Sequence, residues 1–360
     1  MFYKNYALLT TVFFFDIHPE WFLDFFIMLL SSFPRVQIAA LPTRLEKLSR
    51  LSAHLGVTIY VKHDDETGIG GGGNKIRKLE FLLGEALTQG ADTIITQGAV
   101  QSNHVRQTVA MATKLGLKCQ AILERRISDT PESFDTTGNV LLNRLFGIEA
   151  LRFVAAGTDM NAEMAIDAEE LKTKGRKPYI IPGGGSNAVG ALGYVNAALE
   201  LVAQINAEHL TIDHVIVASG SSGTHAGLAA GFKALSTPVN LIGISVRQPK
   251  AFQIAKITEE AGNVANLLKT AAVPPNEIIV NSDYVGQGYG IPADHTFEAI
   301  MTAARFEGML LDPVYTGKAF AGLLGLIRTG QIKQGETVVF FHTGGDYGLF
   351  AYEKALLQHL

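Results

Sequence analysis

Lys75 stands directly behind Gly70, Gly71, Gly72, Gly73 and Asn74 and opens a segment patterned as an apolar-faced helix. At a helix start the peptide dipole disfavours an ammonium, and burial disfavours it further, so the amine is driven toward its neutral, nucleophilic form. A neutral lysine amine forms Schiff bases with carbonyl compounds. The alternative is a lysine lying over a helix start at the surface, the commoner case for a lysine in general. A second glycine-rich stretch, Ser219, Gly220, Ser221, Ser222, Gly223 and Thr224, follows a strand-like run and precedes a helical pattern carrying Ala226, Leu228, Ala229 and Phe232. Free amides and hydroxyls then gather at the positive end of a helix, which suits a phosphate. A tight turn capped by serine and threonine accounts for the same residues equally well. The loop is not a Walker sequence, since Gly317-Lys318 is followed by Ala319, and its glycines do not fit a dinucleotide fingerprint. Taken together, two glycine loops, a phosphate cradle and a Schiff-base lysine describe a pyridoxal-phosphate site.

Elements must hold these loops in place, and the chain supplies β/α alternation. Strand-like runs are expected at residues 57–61, 93–96, 119–123, 179–181, 214–218, 241–246 and 337–342. One helix starts at Lys75 with Leu79, Leu82, Leu83, Ala86 and Leu87 on one face, and another places Val105, Val109, Ala112 and Leu115 inward. The glycine clusters at 68–73, 183–185, 220–223 and 344–345 come between strand and helix, where parallel sheets bind ligands. No repeat of solenoid length recurs. Two intertwined α/β domains meeting in a cleft are therefore expected.

Composition narrows the function classes. With 47% hydrophobic and 18% charged residues over 360 positions, the chain can bury a large core. Cys119 is the only cysteine, so no internal disulfide or cysteine zinc site exists, and a reducing, cytoplasmic compartment fits. No HExxH or similar metal-ligand spacing occurs. A net charge of -4 gives no general attraction to nucleic acid, so a small molecule is the expected partner. Residues 1–32 differ from the rest: aromatic, apolar runs interrupted by Asp16, His18, Glu20 and Asp24, too short to give a stable membrane span. They read as a weak membrane-associating segment, a partner-binding extension or residues upstream of a start at Met28, and the last is favoured.

Four segments carry a family resemblance: GGGGNKIRKLEFL at 70–82, QGAVQSNHVRQT at 97–108, SGSSGTHAG at 219–227 and DPVYTGKA at 312–319. In order and without large gaps over residues 34–350, the chain resembles the D-cysteine desulfhydrase and 1-aminocyclopropane-1-carboxylate deaminase family. The resemblance implies the pyridoxal-phosphate fold shared with tryptophan synthase β, α/β with two open twisted sheets and flanking helices. Residues 33–77 and 187–360 would form the large cofactor domain, residues 78–186 the small one, and the chain would pair as a homodimer. It makes Lys75 the Schiff-base lysine and carrier of the Cα proton. Lys78 would reach the phosphate with Ser219 to Thr224, and Asn103 would bond the cofactor's phenolic oxygen. Gln101, Ser102 and Asn103 would hold the substrate carboxylate, though residues 101–103 would also serve as a simple helix cap. Tyr289 and Tyr315 match two active-site tyrosines, one able to stack on the pyridine ring and either able to move protons if its pKa is lowered. His104, His225 and His342 read as packed or hydrogen-bonded.

Two positions divide the family. Ring-opening deaminases resemble one another in a glutamate after the DPVY tyrosine and a leucine before the late Gly-Gly pair; here stand Thr316 and Thr343. Hydroxyls would leave the pyridine nitrogen neutral, adequate for expelling hydrosulfide but a weak sink for opening a cyclopropane. The activity implied is D-cysteine to pyruvate, hydrogen sulfide and ammonia, with ring-opening deamination or another β-substituted amino acid as the alternative. His63 departs from the arginine that relatives carry before the two acids.

Overall fold

The structure is a computed structural model that describes residues 30–360, so most of the N-terminal segment lies outside the described residues. Strands are β1 (Leu45–Lys47), β2 (Thr58–His63), β3 (Thr93–Ala99), β4 (Lys118–Glu124), β5 (Ala150–Val154), β6 (Pro178–Ile180), β7 (His214–Ser219), β8 (Asn240–Ser245), β9 (Ile279–Asn281) and β10 (Thr337–His342). Helices are α1 (Ser49–Leu55), α2 (Lys75–Thr88), α3 (Asn103–Lys114), α4 (Gly138–Leu145), α5 (Met160–Thr173), α6 (Ala188–Ala207), α7 (Gly223–Ala234), α8 (Lys250–Leu268), α9 (Asp294–Glu307), α10 (Thr316–Arg328) and α11 (Glu353–Leu357).

Two sheets result. The larger runs β1-β2-β10-β7-β8-β9 and the smaller β5-β4-β3-β6. All pairs are parallel except β1 with β2. Helices cover both faces of the larger sheet, as parallel sheets require. On β10, Val338 and Phe340 point into one core with Phe320 and Leu323, while Val339 and Phe341 point into another with Tyr194 and Val217. That period of two is why an apolar run at 337–342 reads as a buried strand.

The helix α6 is long and apolar enough by composition to cross a membrane. Here it packs against α2 and α7. Its small residues permit the approach: a Cβ at Gly193 would lie 2.2 Å from the Arg77 carbonyl oxygen.

Three strands escaped the sequence pattern. β1, β5 and β9 are edge strands of three to five residues with partly exposed faces, so no apolar run marks them. Leu87 is largely exposed at the end of α2, and Leu115 is the residue that ends α3. Every strand of the smaller sheet falls between residues 93 and 180. Its core nevertheless takes in Val314, Ala351 and Tyr352 from the C-terminal part.

Candidate active site

The turn before α2 is built around glycine. At Gly72, φ is +69° and an added Cβ would sit 1.7 Å from the Asp65 carbonyl oxygen, so no side chain fits there. The Thr67 hydroxyl bonds both the amide and the carbonyl of Gly73, and the Asn74 amide donates to the Thr343 carbonyl. From α3, the Gln107 side-chain oxygen Oε1 accepts the amides of Lys75 and Ile76 and so caps the start of α2. The Lys75 amine emerges into the cleft, donating to Asn74 Oδ1 at 2.8 Å and lying 5.9 Å from the Tyr315 ring centre. Burial draws its pKa down to about 8; Arg106 adds to this and Asp312 opposes it.

Beside it, the loop between β7 and α7 curls against the glycines at 183–185. A Cβ at Gly184 would come within 2.4 Å of Ser221 Oγ, and one at Gly223 within 3.0 Å of Lys78 Nζ. Lys78 Nζ donates to the Gly184 carbonyl at 3.2 Å and to Ser186 Oγ at 3.3 Å. Burial pushes this amine well below its usual range. Among the described residues it pairs with no carboxylate. A buried amine, clustered hydroxyls and a helix N-terminus, kept open by glycines, fit the phosphate of pyridoxal phosphate.

Most of the predicted residues converge on one cavity. Lys75, Ser102, Asn103, Tyr289, Tyr315 and Thr343 line it, with Ser219, Gly220, Ser221, Ser222 and Thr224. Asn74, which sequence reasoning left without a role, joins the two loops by donating to Thr224 Oγ1 at 3.0 Å. Ser102 caps α3, accepting from the Val105 amide, while its residue faces the cavity, so the capping and binding roles are compatible.

Three predicted placements change, and with them one predicted role. Gln101 lies outside the cavity: its amide donates to the carbonyls of Phe134 and Thr137 and accepts from the Asn139 amide, which leaves it nothing for a substrate carboxylate. Thr316 is fully buried behind the cavity wall, its hydroxyl donating to Asp312 Oδ1 and accepting from the Asp312 amide. Gly223 sits just behind the lining with its amide given to Ser186 Oγ. The tyrosine hydroxyls meet at 2.5 Å, but burial raises both pKa values, Tyr315 furthest, so neither is poised as a base.

Asp312 was also missed as a structural part. Its carboxylate accepts the amides of Val314, Tyr315 and Thr316 and so shapes the turn that presents Tyr315. The Asx pattern of an aspartate two to four residues before the bonded amides was the available signal. His104 bonds Thr96, and His225 bonds Ser219; burial lowers both rings, which are packed as expected. His342 bonds the Leu310 carbonyl. His63 lies between Glu46 and Asp65, away from the cavity.

A family model described as pyridoxal-phosphate dependent enzyme matches residues 36–344. Among solved structures, an ACC deaminase homologue is 40% identical with a TM-score of 0.84, over 93% of this chain and 98% of its own. An O-ureido-L-serine synthase is 16% identical with a TM-score of 0.63, over 90% and 94%. A hydrogen sulfide-producing enzyme from Fusobacterium nucleatum is 18% identical with a TM-score of 0.61, over 89% and 98%. The last two share the fold, that of tryptophan synthase β. With its Lys75 amine beside a phosphate cradle and a family match spanning both sheets, the chain belongs to the pyridoxal-phosphate dependent enzymes.

Proposed function

We propose that the protein is a lyase that removes the β-substituent of an amino acid, converting D-cysteine to pyruvate, hydrogen sulfide and ammonia. The observation that carries this reading is the lining of the cavity: Thr343 faces it and, among the described residues, no aspartate or glutamate does. With a hydroxyl as its partner the pyridine nitrogen of the cofactor would stay neutral, which would suffice for a good leaving group.

Pyridoxal phosphate, when bound, supplies the electron sink for the pair left at Cα. The chain supplies the rest. Lys75 Nζ, drawn toward neutrality by burial, takes the Cα proton, and its bond to Asn74 Oδ1 orients the amine. Ser102 and Asn103, which line the cavity at the start of α3, hold the substrate carboxylate near the positive end of that helix. The two tyrosine hydroxyls keep their protons at neutral pH; one donates to the other, and the second, whose proton is free, donates to the departing group as an acid. We propose further that the enzyme is a cytoplasmic homodimer.

A second reading, deamination of aminocyclopropane carboxylate, is favoured by the 40% identical ACC deaminase homologue. One assay separates them: pyruvate from D-cysteine against 2-oxobutyrate from the cyclopropane substrate. Preference for D-cysteine supports the first reading, and preference for the cyclopropane overturns it.

A further inference from the structure

The cleft carries basic side chains besides Lys75 and Lys78. Arg126, Arg247 and Lys256 all line the cavity. They come from both walls, Arg126 just past β4 of the smaller sheet, and Arg247 and Lys256 from the segment after β8 and from α8. Their charges overlap: the Lys256 ammonium is lowered by burial and then by Arg247 and Arg126, with Glu259 and Glu260 opposing. Neither Arg247 nor Lys256 makes a side-chain hydrogen bond or ion pair with any described residue. Holding like charges together in one cleft is unfavourable until an anion enters between them.

Lys256 also bears on Lys78 at the phosphate cradle, so its charge counts toward the phosphate. Arg126 and Arg247 act elsewhere. Both bear on the Tyr289 hydroxyl, and the Arg126 guanidinium lies 5.4 Å from the Tyr289 ring centre. Glu124 fixes Arg126 by an ion pair while its other oxygen accepts the Gly157 amide at 2.9 Å. Lys75, Tyr315, Tyr289 and Arg126 follow one another along the cavity: the Lys75 amine faces the Tyr315 ring, the two tyrosine hydroxyls meet, and the Arg126 guanidinium lies over the Tyr289 ring.

We infer that Arg126 and Arg247 form a subsite for a second negative group on the substrate's side chain, an oxyanion such as a sulfonate or phosphate. The inference rests on the reading of the cavity as a β-elimination site and adds a substrate class to it, because the thiol of cysteine is largely uncharged at neutral pH. In the elimination, the Cα proton passes to Lys75 and the C–H pair becomes the Cα–Cβ double bond. The Cβ–X bond breaks with its pair leaving on X, as sulfite or phosphate, and one water then releases pyruvate and ammonium. The arginines hold X before and after the bond breaks.

The test uses the holoenzyme with β-sulfoalanine and O-phosphoserine, both enantiomers of each, against β-chloroalanine and cysteine, with pyruvate as the readout. Anionic substituents should give the higher kcat/KM, and Arg247→Gln or Arg126→Gln should lower it for them about 10- to 100-fold, the loss of one charge-assisted bond. Neutral substrates should lose far less, Arg247→Lys should recover part of the loss, and added salt should weaken the anionic substrates selectively. Equal use of neutral and anionic substrates, or equal losses for both classes in the variants, would overturn the subsite. Binding is read separately by the change in the holoenzyme's visible spectrum on adding phosphoserine, serine or aspartate. If no substrate yields pyruvate, the elimination reading falls. Tighter binding of phosphoserine and aspartate than of serine, lost in Arg247→Gln, would still uphold the subsite, and no such difference would remove it.

Discussion

At the scale of single residues, the Lys75 amine is the group whose ionisation matters most. Only the neutral amine attacks a carbonyl, and burial holds its pKa at about 8 rather than the 10.5 of a free lysine. Uptake of pyridoxal phosphate by the apo-protein should therefore quicken as pH rises through about 8 and level off above it; a rate still climbing steeply at pH 10 would contradict the burial argument. Tyr315 carries the opposite lesson. Because burial raises its pKa well above the usual value, Tyr315→Phe should lower kcat by about 10² to 10⁴, the range for loss of an acid, while leaving the pH profile without a lost basic limb. Lys75 and the loop at 219–224 were legible in the sequence because glycine clusters leave a local signature. Gln101 and Thr316 were misplaced because their partners, Phe134, Thr137 and Asp312, are set by turns that a motif does not display. Arg126 and Arg247 belong to separate segments, and only the folded cleft brings them to one cavity.

At the scale of elements, the segment that carries Tyr289 has little regular structure between β9 and α9, so something must fix it. Lys318, buried on α10, donates to the carbonyls of Val285 at 2.6 Å and Gly288 at 2.7 Å, directly before that tyrosine. Replacing it by methionine leaves two carbonyls without their donor, at a cost of about 1–3 kcal/mol each where they are buried. Lys318→Met should keep its cofactor and lose kcat, with Lys318→Arg retaining more. Loss of cofactor with intact kcat in the remaining holoenzyme would assign Lys318 to another role. The long parallel strands were legible because β7 and β10 are continuous apolar runs. β1 and β9 were not, since three residues at a sheet edge need only backbone partners.

At the scale of the whole molecule, Lys75 is anchored by a buried ionic cluster two residues further along α2. Arg77 donates to Asp64 Oδ1 and Oδ2 and to Glu200 Oε1 and Oε2, each at 2.9 Å, tying α2 to the turn after β2 and to α6. Lys62 adds bonds to Glu200 and to the Thr43 carbonyl, and Tyr194 donates to Asp64. Burial alone would raise the Glu200 pKa, but Arg77 and Lys62 outweigh it and draw the carboxyl down to about 2. A carboxylate depressed in the folded state adds stability that is full above its unfolded pKa of about 4.3 and is lost as pH falls through the folded value. Acid unfolding followed by circular dichroism should thus show stability declining from about pH 4 toward about pH 2, and Glu200→Gln should flatten that slope. Arg77→Met goes further, since it strands two carboxylates in the interior without their guanidinium, and should cost about 3–5 kcal/mol at neutral pH. Because the cluster ties the first turn of α2 to the turn after β2 and to α6, the same variant should release pyridoxal phosphate at a lower urea concentration than the one that unfolds the protein. A urea midpoint equal to the wild type's, with cofactor retained up to it, would show that the cluster anchors neither the fold nor Lys75.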